Sequence, residues 1–65
     1  MKVFYFSAYT CSDGEQFMAV VVAADGDAAS DWFEKKYPDC DIADCWEDQI
    51  SDEEITEIAE FVEVI

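Results

Sequence analysis

The longest uninterrupted apolar run, Phe17 to Ala24, constrains the fold more than any other feature of the sequence. Eight residues are far fewer than the ~20 that cross a bilayer as a helix, so a membrane segment is not expected. Successive side chains of a strand point to opposite faces of its sheet, and a run that is apolar at every position needs cover on both faces. The run therefore predicts a strand over Gln16 to Ala24 in a small sheet whose second face is semi-exposed.

One further strand is predicted before this one in the chain, and another is predicted after it. Residues Lys2 to Thr10 are rich in aromatic and β-branched types, and Asp13-Gly14 supplies turn chemistry between them and Gln16. This pattern predicts an antiparallel hairpin. Apolar and polar residues alternate loosely from Asp41 to Glu47, which predicts a short third strand.

A first helix is predicted between the second and third strands. Either Asp25 or Asp27 can cap its first turn, because a carboxylate there accepts backbone N–H bonds and meets the positive end of the helix dipole. The helix is expected to run to about Tyr37, since Pro38 cannot continue it.

A second helix is predicted near the end of the chain. Ser51 and Glu54 form a capping box, and Ile50 with Ile55 can form the hydrophobic staple that goes with it. We expect a helix from Asp52 to about Glu60. Residues 61–65 are β-branched enough to form either more helix or an edge strand, and both remain open.

The element order is strand, strand, helix, strand, helix, which is typical of an α+β domain. The 65 residues are enough for one domain only. A right-handed crossover from the second strand places the third beside the first. The sequence therefore predicts a three-stranded antiparallel sheet in the order 2-1-3 with both helices on one face.

The charge balance excludes several functions. Seventeen Asp and Glu stand against three Lys, with no Arg or His, for a net charge of −14. Binding to nucleic acid or to an anionic membrane surface needs Lys and Arg, so neither is expected. Without His, Arg or a phosphate-binding glycine loop, the chain is expected to be no enzyme and to hold no cofactor or metal.

The three cysteines, Cys11, Cys40 and Cys45, form no C-x-x-C motif. Their odd number argues against a disulfide framework, and a zinc site would need a carboxylate as its fourth ligand. The N-terminus also lacks the features of a signal peptide. Reduced thiols and a cytoplasmic location are therefore expected.

The acidic residues are unevenly distributed. Residues 39–65 carry eleven acids and no base, whereas residues 1–38 carry six acids and all three lysines. On the second helix Glu53, Glu57 and Glu60 recur at i, i+4 and i+7, so like charges share one face at a cost of a few tenths of a kcal/mol per pair. A coherent negative surface can steer the chain onto a basic partner. The candidate partner-binding residues are Asp39, Asp41, Asp44, Glu47, Asp48, Asp52, Glu53, Glu57, Glu60 and Glu63.

In size, charge and element order the chain resembles the small acidic anti-CRISPR proteins that phages encode. The resemblance covers the hairpin strands Val3 to Phe6 and Phe17 to Val22 together with the acidic segment from Asp39. The resemblance implies that the chain is a monomeric DNA mimic. Such a mimic occupies the surface with which a type I CRISPR effector subunit binds its target duplex, and it catalyses no reaction.

Three alternatives remain open. The same logic fits an acidic inhibitor of another DNA-processing enzyme. The chain could also be the antitoxin-like half of a protein pair, with Trp32, Tyr37 and Trp46 as apolar anchors. Lastly, the charge could merely keep a small domain soluble, as in a halophile. A mimic should lose affinity steeply as salt rises, whereas an aromatic-anchored complex should lose little.

Overall fold

The computed structural model contains one four-stranded mixed sheet and two helices, over residues 1–65. The strands lie in the order β3-β1-β2-β4. The elements are β1 (Lys2–Thr10), β2 (Gln16–Ala23), α1 (Gly26–Lys36), β3 (Cys40–Gln49), α2 (Asp52–Ile58) and β4 (Glu63–Val64).

The predicted hairpin of β1 and β2 is confirmed, and its turn shows why these residues form it. Gly14 has φ +71°, a left-handed conformation that glycine adopts without strain. The Asp13 carboxylate accepts hydrogen bonds from the Thr10 hydroxyl and, at 3.0 Å, from the Glu15 backbone N–H. These bonds favour the charged form and hold the pKa of Asp13 below its ordinary value.

The predicted fold class is wrong in its sheet. The third strand does pair antiparallel with β1, but a fourth strand adds to the other edge of β2. This strand, β4, runs parallel to β2, with Glu63 opposite Val21 and Val64 opposite Val22. The tail that the sequence left open is therefore an edge strand, and the sheet is mixed rather than antiparallel.

The predicted fold class is also wrong in placing both helices on one face. Because β2, β3 and β4 all run in one direction, β2-α1-β3 and β3-α2-β4 are both crossovers between parallel strands. The first moves across the sheet in one direction and the second moves back. Two crossovers of the same hand that move in opposite directions must lie on opposite faces. We call these faces the α1 side and the α2 side.

The larger part of the core lies on the α1 side. Phe33 of α1 packs on Phe6 of β1, with ring centroids 4.9 Å apart, and Ala29 gives α1 a close approach to the sheet. The buried residues of this cluster are Phe4, Phe6, Ala8, Ala19, Val21, Ala23, Ala29 and Phe33.

A smaller core lies on the α2 side. Its buried apolar residues are Val3, Val22 and Ile50, and the α2 residues that cover them, Ile55 and Ile58, are half-buried. The helix has seven residues, about 10 Å of length, whereas nine residues of β1 span about 30 Å. One end of this face therefore stays open.

Both predicted helix starts are confirmed by their caps. The Asp25 carboxylate accepts from the Ala28 N–H at 2.9 Å, and Ser51 Oγ accepts from the Glu54 N–H at 3.3 Å. The second helix is shorter than expected. It ends at Ile58, because that carbonyl accepts from both the Phe61 and Val62 N–H groups at 2.9 Å and the chain turns towards β4.

Candidate partner-binding surface

The edge strand β3 presents three carboxylates on the α2 side. Its pairing with β1 puts Asp48 opposite Val3, Asp44 opposite Ser7 and Asp41 opposite Tyr9. Residues opposite one another in an antiparallel pair share a face. An irregularity at Ser7/Ala8 leaves Ala43 without a partner, and this bulge is what keeps both Asp41 and Asp44 on the same side.

Helix α2 and the turn after it add five more carboxylates to this side. All are exposed, because the helix uses Ile55 and Ile58 to cover the sheet and turns its other residues outwards. We call the complete set the acidic face. Its members are Asp41, Asp44, Asp48, Asp52, Glu53, Glu54, Glu57 and Glu60.

All three lysines belong to the α1 side. Lys2 Nζ lies 3.0 Å from the Glu47 carboxylate, and Lys36 Nζ lies 3.5 Å from Glu63. Lys35 is on α1 itself. The acidic face therefore has eight acids and no base, whereas the α1 side combines three lysines with six acids. Those six are Asp25, Asp27, Asp31, Glu34, Glu47 and Glu63.

Five carboxylates of the acidic face accept no hydrogen bond from the chain. Among the others, Asp41 accepts from the Cys11 thiol at 3.8 Å, Asp44 from the Cys45 N–H at 2.8 Å, and Glu54 from the Ser51 hydroxyl at 3.1 Å. Exposed charges without internal partners are free to bind an external cation. The five are Asp48, Asp52, Glu53, Glu57 and Glu60.

The structure brings seven of the ten predicted partner-binding residues together on the acidic face. Glu47 and Glu63 lie on the α1 side, opposite Phe4 and Val21, where each pairs with a lysine. Asp39 lies in the turn before β3. The strict alternation of strand side chains separates Glu47 from Asp48, a difference that sequence distance alone conceals.

The two tryptophans differ in what surrounds them. Trp32 is half-buried; its indole N–H donates to Glu63, and Lys36 Nζ lies 5.2 Å from its ring centroid. Trp46 is 44 % exposed, and its ring stacks on Tyr5 at 5.6 Å. Of the three aromatic anchors considered from the sequence, only Trp46 is an exposed side chain, since Tyr37 is also half-buried against the α1-side core.

An apolar group around Trp46 was not predicted from the sequence. Tyr9 is 42 % exposed and Met18 is 52 % exposed, and both lie on the same side of the sheet as Trp46 and Tyr5. We call these four residues the aromatic patch. Alternation was the available signal, because odd positions of β1 and even positions of β2 share a face.

The thiols lie in surroundings that disfavour their ionisation. Partial desolvation raises the pKa of Cys11, and the nearby Asp41 carboxylate adds to the shift. Desolvation followed by Asp44 and Glu47 raises the pKa of Cys45 in the same way. No group of three or more His, Cys, Asp or Glu residues is arranged to hold a metal ion.

The largest depression on the surface, about 420 Å³, lies between α1 and β3. The residues that line it are Phe33, Glu34, Tyr37, Pro38, Cys40, Asp41 and Ile42. No helix in the molecule has the length and apolar character needed to cross a bilayer. No family model, curated protein sequence or solved structure matches the chain.

Proposed function

We propose that this chain is a non-enzymatic inhibitor that mimics DNA, with its acidic face bound in a basic nucleic-acid-binding groove of a partner protein. The observation that carries the proposal is the separation of charge across the sheet: eight exposed carboxylates on the α2 side stand without a single lysine. Like charges placed together destabilise a small fold, and a gain in association with a basic partner offsets that cost.

The spacing of the carboxylates supports the proposal. Glu53 and Glu57 are four residues apart on α2, an advance of about 6 Å along the helix axis. One strand of DNA advances about 3.4 Å per phosphate, so the two carboxylates match every second phosphate. Asp44 and Asp48 are about 13 Å apart along β3 and extend the negative surface beyond the helix.

The partner that we propose is a subunit of a type I CRISPR effector, as the resemblance to small acidic anti-CRISPR proteins implies. The inhibitor would act as a monomer, in the cytoplasm of the host cell if a phage encodes it. It would occupy the duplex-binding surface of the effector without cleaving or modifying anything.

A charge-reversal experiment tests the function. The variant Glu53→Lys/Glu57→Lys/Glu60→Lys should no longer displace a fluorescently labelled duplex from the purified effector, measured by anisotropy. Each single reversal should weaken competition by roughly 1 kcal/mol or less, as expected for exposed charges that act additively. The three side chains are exposed, so circular dichroism should show that the variant still folds.

The chain itself offers a matched control. Asp27, Asp31 and Glu34 have the same i, i+4, i+7 spacing on α1, are also exposed, and lie on the other side of the sheet. Their reversal to Lys changes the net charge by the same amount and should leave competition largely intact. Equal loss in both variants would show that total charge matters and the acidic face does not. Full competition by the first variant would refute the function.

A further inference from the structure

The aromatic patch occupies the part of the α2 side that the short helix leaves open. Across the sheet, Trp46 lies beside Tyr5 and Tyr5 beside Val20; in the next row Asp44 lies beside Ser7 and Ser7 beside Met18. Tyr5 and Val20 border the small core under α2. The patch thus continues from the core into solvent with no element of the chain above it.

Trp46 has an unused ring face, unlike Trp32. Tyr5 stacks on one face of Trp46 with an interplanar angle of 16°, and no other ring or cation of the chain lies against it. The indole N–H of Trp46 donates to no group of the protein. Trp32, by contrast, has both Lys36 over its ring and the Glu63 carboxylate at its N–H.

One carboxylate lies on each side of Trp46 along β3. Asp44 and Asp48 are two residues away in each direction along β3 and share its face, which places them about 7 Å from it along the strand. Strand β3 is an edge strand, so no neighbour lies beyond it. A planar cation on the free ring face would have a carboxylate at each end.

We propose that Trp46, Asp44 and Asp48 form a binding site for an arginine side chain of a basic protein partner, with the guanidinium stacked on the indole and bonded to the flanking carboxylates. This arginine site rests on the proposed function, because it is the contact through which the partner is anchored to the acidic face.

Charge and shape favour this occupant over others. Arginine stacks on aromatic rings through its planar guanidinium and donates bidentate hydrogen bonds to carboxylates, whereas the lysine ammonium is a compact, strongly hydrated charge. A second copy of the chain would bring another net charge of −14 to the same surface, and repulsion opposes that pairing.

Two synthetic peptides of equal charge test the site, one alternating glycine with arginine and the other glycine with lysine. In a ¹⁵N-labelled sample, the Trp46 indole resonance is the one that Trp46→Phe removes. The arginine peptide should shift this resonance and leave that of Trp32 in place. It should bind about threefold more tightly than the lysine peptide, the preference expected of a stacked guanidinium at an exposed site.

The variant Trp46→Ala should abolish the preference for arginine, and Phe61→Ala should not. Phe61 is the matched control because it is an exposed aromatic residue, at 84 %, outside the patch. Asp44→Asn/Asp48→Asn should weaken the arginine peptide more than the lysine peptide. Equal affinities for both peptides, or a Trp46 resonance that shifts only with protein concentration, would overturn the inference, the latter because a second copy would then cover the patch.

Different results would refute the arginine site and the DNA-mimic function. If the α2 reversal variant loses competition with duplex DNA while Trp46→Ala keeps the arginine preference, the acidic face functions without an arginine site at Trp46. If Trp46→Ala loses the preference while the reversal variant still competes fully, the arginine site exists and DNA mimicry is wrong.

Discussion

The two sides of the sheet divide stability and charge between them. On the α1 side an eleven-residue helix buries Phe33 against Phe6, and the lysines there pair with Glu47 and Glu63. On the α2 side a seven-residue helix covers three buried residues, and its carboxylates have no lysine nearby. The same strands thus support a well-packed face and a highly charged one.

The acidic face on the α2 side depends on the α1 side for its stability. Exposed ion pairs such as Lys2–Glu47 contribute little to stability, so the α1-side core must supply most of it. The small α2-side core only has to hold the helix and β4 in place. Disrupting each side separately should therefore give effects of very different size.

The largest expected effect is that of Phe33→Ala. Phe33 is 1 % exposed, and removal of a buried phenylalanine costs about 3–5 kcal/mol, comparable to the whole stability of a domain this small. Urea unfolding followed by circular dichroism should show no cooperative transition. Ile58→Ala, on the half-buried α2 side, should cost about 1 kcal/mol and keep the transition. Equal costs would mean that the two sides share the stability.

A smaller loss is expected from Ser51→Ala, which removes the cap of α2. The Ser51 hydroxyl bonds both the backbone N–H and the carboxylate of Glu54, and loss of such a cap costs about 1 kcal/mol. Thermal unfolding measures it. Ser51→Asp should restore most of the stability, because Asp is as good an N-cap as Ser. An unchanged melting temperature in Ser51→Ala would show that α2 adds nothing to the cooperative fold.

Local signals in the sequence predicted every element except β4, and they did not predict the arrangement of the elements. The Asp25 and Ser51 caps and the Asp13-Gly14 turn act within a few residues, so each could be predicted where it stands. The position of α2 depends on β4, a two-residue strand whose pairing with Val21 and Val22 is long-range. Without that strand, nothing in the sequence required a second crossover or put its helix on the opposite face.

The candidate surface was partly predictable for the same reason. The acids of α2 follow from helical spacing, which the capping box fixes in register. The acids of β3 depend on an irregularity at Ala43 that shifts which residues share a face, and a bulge has no sequence signature here. The sequence predicted Glu63 as a partner-binding residue, but Glu63 bonds Trp32 and Lys36 instead. Those bonds depend on β4, which the sequence did not establish.

The free energy of unfolding should rise by a few tenths of a kcal/mol per pair of like charges when salt screens the acidic face. Raising salt from ~10 to ~500 mM shortens the Debye length from about 30 Å to a few Å and relieves repulsion such as that between Glu53 and Glu57. The melting temperature of the native chain should rise. In Glu53→Lys/Glu57→Lys/Glu60→Lys the rise should be smaller than in the matched α1 variant. A flat response would show that the acids do not repel one another.

The smallest expected effect is a salt-dependent shift in the pKa of two thiols, Cys11 and Cys45. Cys11 contacts Asp41 of the acidic face, and Cys45 lies opposite Phe6 on the α1 side, where the Asp44 and Glu47 carboxylates act on it. The pKa of each thiol is raised above its ordinary value of 9.0, with desolvation as the first cause and carboxylates after it. Single-cysteine variants followed by thiolate absorbance against pH report each value.

Salt should lower the pKa of both thiols, because two carboxylates raise each of them: Asp41 and Asp39 at Cys11, and Asp44 and Glu47 at Cys45. Neither pKa should return to 9.0 until urea unfolds the chain, since salt does not remove desolvation. A thiol whose pKa is higher in the folded state stabilises the fold below the unfolded pKa and loses that contribution as pH rises through the folded pKa. Stability should therefore fall above about pH 9, and a thiol whose pKa does not respond to salt would show that the carboxylates do not act on it.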